Sequence, residues 1–182
     1  MRKAQPITLV TAMLVTLACS TALAAPELSK EVKLKGEREA IVMAPNWRPT
    51  SEEAAITVLE RAPDKAKKIS FGLLMLAIEE GPESTEGIDW SAVRDNIVAA
   101  AKAAGSPLNL EVKETFTGAA GLQGRRLAGS TKVDERTVSV EMIALIAPKV
   151  LVTISSVGRT DDSGVAKLAT DVAATVKIPA GP

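Results

Sequence analysis

Histidine and tyrosine are absent from this 182-residue chain, and cysteine occurs once, at Cys19. Without histidine there is no side chain that titrates near neutral pH unaided, no Ser-His-Asp arrangement and no imidazole for a transition metal. One cysteine excludes an intrachain disulfide. The groups left for chemistry are Asp, Glu, Lys, Arg, Ser and Thr, a poor set for an enzyme. Aromatic residues are scarce, two Trp and two Phe, while 46% of residues are hydrophobic. The core must therefore be aliphatic, built from Val, Ile, Leu, Ala and Met. No net charge of either sign is available: 22 basic residues meet 22 acidic ones. That leaves no basic field for a nucleic acid.

What is present starts with the first 25 residues. Arg2 and Lys3 precede an apolar and Thr-rich run over 6–18, and Ala22-Leu23-Ala24 stands before Ala25-Pro26. This is the order of a secretory signal peptide with an A-x-A cleavage site, which places the cut between Ala24 and Ala25. Two alternatives remain open. The uncharged run from Pro6 to Ala25 is just long enough to span a bilayer, although no basic stop-transfer cluster follows it. Cys19 offers a position for a lipid anchor, but Thr16 stands where a lipoprotein signal usually has Leu. Cleavage after Ala24 removes the one cysteine and two basic residues. The remaining 25–182 then carries 20 basic and 22 acidic residues, enough chain for one domain and no stable membrane span.

Within 25–182 no repeat, low-complexity tract or linker divides the chain. Residues 31–45 alternate around Gly36-Glu37 and suit two short strands. Pro45 and Pro49 bracket Asn46-Trp47-Arg48, a stretch not expected in regular sheet. Residues 54–61 read as a strand, 62–68 as a polar turn, and 68–80, apolar on both faces, as a central strand. Residues 89–105 form the clearest helix. Asp89 or Ser91 caps it, Trp90, Val93, Ile97, Ala101 and Ala104 share a face, and Gly105 and Pro107 end it. Residues 108–116 alternate as a strand with one wet face. Residues 136–158 are two strands joined at Ala147-Pro148-Lys149, with Val140 and Val152 facing the core. A last helix begins at Asp162-Ser163, carries Val165, Leu168, Ala169, Val172 and Val176 on one side, and ends at Ile178-Pro179. Residues 179–182 form a frayed tail. Strands joined by short turns, with helices packed on them, imply an α+β fold with an antiparallel sheet.

The stretch GAAGLQGRRLAGSTK, residues 118–132, invites a phosphate-loop reading. Gly124 to Thr131 comes near G-x-x-x-x-G-K-[ST], but Ser130 stands where the Lys must be. A phosphate loop also needs a helix N-terminus behind it, and a strand pattern follows instead. The glycines are expected to serve a turn at 118–121 and a close-packed strand near Gly124. Arg125 and Arg126, on a strand, must point to opposite faces. Glu83 and Glu86 belong to an acidic run, 79–89, that fits no calcium loop. It reads as a solvated lead-in to a helix N-terminus or as a contact for a cation or a basic partner. Trp47 reads as a core plug or as the mouth of a pocket.

A Pro-x-Trp after an early strand, a mid-chain helix, a strand ending in Phe116-Thr117-Gly118, a Gly-rich strand, a long hairpin and a closing helix follow one another. This order, with Pro45, Trp47, Phe116, Gly118, Gly121 and Gly124, resembles the PsbP/DcrB/LpqN-like family over about residues 40–178. The resemblance implies an antiparallel sheet flanked by helices, an α/β/α sandwich, and an exported accessory or binding protein without catalysis. Photosystem members of the family bind metal partly through histidine, so no metal site and no cofactor transfers to this chain. The expectation is a periplasmic or secreted protein that acts through a protein partner, with Trp47, Arg125, Glu83 and Glu86 as candidate contacts. The alternatives are a carrier with an apolar pocket between sheet and helix, and a carboxylate-dependent hydrolase.

Overall fold

A computed structural model describes residues 25–64, 71–84, 86–103, 107–133 and 136–179. The leader with Ala24 and Cys19, the lysines at 65, 67 and 68, Ala104, Gly105 and residues 180–182 lie outside the described residues. The fold is α+β and mostly antiparallel sheet. Nine strands are described: β1 (Leu28–Lys35), β2 (Glu39–Pro45), β3 (Arg48–Glu52), β4 (Ile56–Arg61), β5 (Gly72–Glu80), β6 (Leu108–Thr117), β7 (Gln123–Val133), β8 (Arg136–Ala147) and β9 (Val150–Arg159). The helices are α1 (Trp90–Ala103), α2 (Ser163–Ala166) and α3 (Leu168–Ala173). Seven strands form one sheet in the order β3-β4-β5-β9-β8-β7-β6, and β1 and β2 form a separate hairpin.

The sheet separates two cores, because every strand alternates its side chains between faces. On one face Leu59, Leu74, Leu76, Leu145, Val152 and Ile154 pack against the hairpin and α3, and all six are fully buried. On the other face Leu127, Met142 and Ala144 pack against Trp90 and Ile97 of α1. The strand β8 is buried on both sides along most of its length. Val140 and Val152 are both buried, as the alternation predicts, yet unshifted pairing of β8 with β9 puts them on opposite faces. The hairpin between those strands turns at Pro148-Lys149, with Lys149 at φ 64°, a conformation the preceding Pro helps to set.

Two sequence expectations need correction. Asn46 and Trp47 lie outside the sheet as expected, but a strand begins at Arg48 and runs through Pro49. Arg48 pairs with Glu60 and Pro49 with Leu59, and the register slips between Pro49 and Ser51. Proline is tolerated because β3 is an edge strand and the slip forms a bulge. The closing helix is shorter than its apolar pattern. It breaks at Lys167 and ends at Ala173, and Lys177 then exchanges two backbone hydrogen bonds with Ile41 of β2. Val176 is still buried, in the core cluster that includes the hairpin.

The glycine stretch is a turn and a strand. Ala119–Gly121 makes one 3-10 turn, with Ala120 and Gly121 at positive φ. Along β7, a Cβ on Gly124 would lie 2.1 Å from the Ala144 carbonyl oxygen, and one on Gly129 would lie 1.7 Å from that of Asn109. Close backbone approach therefore explains both glycines, and another strand, β8, follows them.

Candidate functional site

The helix α1 covers only part of its face of the sheet. Its anchors Trp90 and Ile97 sit over β7 and β8, and no described helix packs on the same face of β4 and β5. The side chains there come in cross-strand rows: Val58, Met75 and Ser155; Glu60, Leu73 and Val157; Ile56, Ala77 and Thr153. Ile56 is 37% exposed and Met75 41%, the two large hydrophobic residues most open to water among the described residues. Val58, Leu73, Leu151 and Val157 around them are half-buried. Five of these side chains form one continuous, partly wetted surface, and Leu151 borders it, packed against the α1 cluster. Contiguous apolar surface of this kind marks a contact site more often than scattered exposed residues do.

Edge pairing does not compete with this face. The edge strand β3 is short and carries Pro49 and the bulge. The opposite edge, β6, slips register between Val112 and Thr115 and exposes Glu111, Glu114 and Thr115. Prolines, bulges and charges are the usual means of blocking strand addition.

Two buried carboxylates, Glu141 and Asp162, tie elements of the fold together. Glu141 accepts at Oε1 from Arg126 Nε at 2.6 Å and from Thr170 Oγ1 at 2.9 Å, tying α3 to β7 and β8. Arg126 also reaches Glu114 Oε1 at 3.2 Å. The Glu141 hydrogen bond holds the guanidinium deeper in its charged range. The two carboxylates thus flank a cation and do not face each other, which is an ion triad and no acid–base pair. At the far end of the sheet Arg61 pairs with the buried Asp162, and its guanidinium lies 5.5 Å from the Trp47 ring centroid. Two open depressions lie on the surface of the described residues. One of about 300 Å³ is lined by Glu83, Gln123, Leu122, Ile146 and Pro148. The other, about 400 Å³, lies beside the Lys30–Glu52 ion pair. Neither is an enclosed apolar chamber. Among the described residues no cluster of three or more metal-ligating side chains is found, and no helix is long and apolar enough to cross a membrane.

No family model and no curated protein matches this sequence. Solved structures do resemble it. A protein from Bacteroides thetaiotaomicron VPI-5482 superposes with a TM-score of 0.56 at 11% identity, over 85% of this chain and 50% of that one. A Pseudomonas aeruginosa protein of unknown function gives a TM-score of 0.41 at 7% identity, over 74% of this chain and 86% of that one. This chain spans half the length of the Bacteroides protein, and that likeness bears on fold alone.

The four residues singled out from sequence do not converge. Arg125 stacks over Trp90 at 5.7 Å from the ring centroid, on the α1 face, while Arg126 points to the other face, as strand alternation predicts. Glu83 lies at the same end of the sheet, beside Gln123, and pairs with Lys149 at 3.4 Å. Glu86 is exposed and its amide bonds to Ser84 Oγ. Trp47 stands next to Gly72, at the opposite end of β5 from Glu80, a separation of about 26 Å at strand rise. Ile56 and Met75 carry no mark of a contact in the sequence. Ile56 belongs to the β-branched strand pattern of 54–61 and Met75 to 68–80, apolar on both faces, and neither pattern says that one face is left bare.

Proposed function

We propose that this is a non-catalytic, exported protein of the cell envelope, periplasmic or secreted, that binds a protein partner through the bare half of its sheet. The surface around Ile56 and Met75 carries this reading, because it is apolar, continuous and uncovered by any described helix. The signal-peptide pattern at Ala24-Ala25 and the shortage of catalytic side chains agree with it. The likeness to PsbP/DcrB/LpqN-like domains, with helices on both faces of the sheet, belongs to the same proposal. The carrier and hydrolase readings lack a comparable feature: the depressions are open, and Glu114 and Glu141 are held apart by Arg126.

Two measurements test it. Intact mass of the protein from fractionated cells should begin at Ala25 without lipid; full-length or diacylated protein in the membrane fraction would refute processing at Ala24. Pull-down from envelope extract should recover a protein with the wild type and lose it with Ile56→Asp, while circular dichroism shows both folded. Equal recovery by both would refute the assignment of the face.

A further inference from the structure

We infer that the bare face receives one amphipathic α-helix of the partner, apolar along the side that meets Met75 and basic at the end that meets Glu79. This rests on the partner-binding reading above and specifies its occupant. The space has the width of one helix. Three strands at about 4.8 Å spacing present about 14 Å of face, and a helix with its side chains is about 10–12 Å across. The other half of this layer already holds one helix, α1. A second beside it would complete the layer, with residues at i, i+3, i+4 and i+7 over Val58, Leu73, Met75 and Val157.

A second copy of this chain fits poorly. The raised α1 stops two such faces from meeting flat. Its own outward side presents Ser91, Asp95, Asn96 and Lys102, which cannot fill an apolar groove. The first described residues lead into β1, which packs on the opposite face of the sheet.

Charge sets the polarity of the occupant. Glu79 is exposed, lies opposite Leu151 in the register and has no ion-pair partner among the described residues. The arginines at the other end are engaged, Arg48 with Glu60 and Arg159 with Asp161. The uncompensated charge on the rim is therefore negative and sits at one end, where a Lys or Arg of the partner would be favoured.

The test places a photo-crosslinking residue at position 75 in the producing cells and sequences the captured peptide. It should be an amphipathic helical segment with Lys or Arg near one end. In parallel, the protein as isolated is titrated with a synthetic Leu/Lys amphipathic helix and its Leu/Glu counterpart, following methionine methyl resonances. The Leu/Lys peptide should shift the Met75 methyl and leave Met43 unmoved, and Glu79→Lys should weaken it at least tenfold while improving the Leu/Glu peptide. A crosslink to lipid or to a second copy, or peptide binding indifferent to Glu79→Lys, would overturn the inference. A crosslink to a non-helical protein segment would overturn it and leave the partner reading standing. No crosslink at all would remove both.

Discussion

Asp161 and Asp162 are neighbours with opposite fates. Asp161 accepts two hydrogen bonds from Arg159, at 2.9 and 2.7 Å, with both side chains exposed. Those bonds hold its carboxyl below the ordinary value of 3.8. A carboxyl lowered by folding adds stability above its unfolded pKa and loses it as pH falls through the lowered folded value. Here solvent screens the pair. Asp161→Asn should therefore leave the urea midpoint at pH 7 unchanged within error. Asp162 is buried, pairs with Arg61, and accepts from the Val165 amide at 3.3 Å to cap α2. Removing it takes a buried, charge-assisted contact away from Arg61 and uncaps a helix. Asp162→Ala should cost about 2–4 kcal/mol, read as a lower urea midpoint. Equal midpoints for the two variants would contradict the placement of Asp162. Sequence showed Asp162 as a cap because capping is local. It did not show Arg61, a hundred and one residues earlier, because nothing local marks an ion-pair partner across a sheet.

At the scale of elements, the strand β7 shows why most of the fold was legible. Glycines, arginines and a hydroxyl pair resemble a phosphate loop until the next element is read, and that element alternates like a strand. The paired backbone then explains the glycines, since a side chain at 129 would collide with the Asn109 carbonyl. Gly129→Ala should destabilise by about 3 kcal/mol or more, and titration calorimetry with ATP, GTP or phosphate should show no salt-resistant binding by either form. A stable Gly129→Ala protein would contradict the pairing of β6 with β7. The misread elements share a cause. Pro49 argues against sheet only where its missing N–H is needed, and an edge removes that need. The closing helix was overextended because an apolar face continues past Ala173, although the backbone hydrogen bonds pass to β2. Periodicity reports which side chains are inward, not which partner the backbone chooses.

For the whole molecule the decisive fact is an unequal covering of two apolar faces, and sequence is blind to it. In β5, Leu73-Leu74-Met75-Leu76 is apolar without a break, so composition assigns burial to both sides. The structure buries Leu76 completely and leaves Met75 41% exposed. The two are adjacent in the chain and differ only in which layer lies above them. Leu76 meets the hairpin and α3 core, so Leu76→Lys would bury an unpaired ammonium and should unfold the protein or cost several kcal/mol. Met75→Lys would place the same charge on a wet surface, beside Val58 and half-buried neighbours, where the long stem can lie along the face and the ammonium reach water. It should keep the urea midpoint within about 0.5 kcal/mol of wild type, and it should abolish partner capture. The two variants share the strand and the introduced charge and differ in the face that receives it. If Met75→Lys unfolds the protein as Leu76→Lys does, the face is occupied within the chain's own fold, and a partner helix has no place to bind. If both variants are stable, the hairpin side is not the core, and the layer order itself must be redrawn.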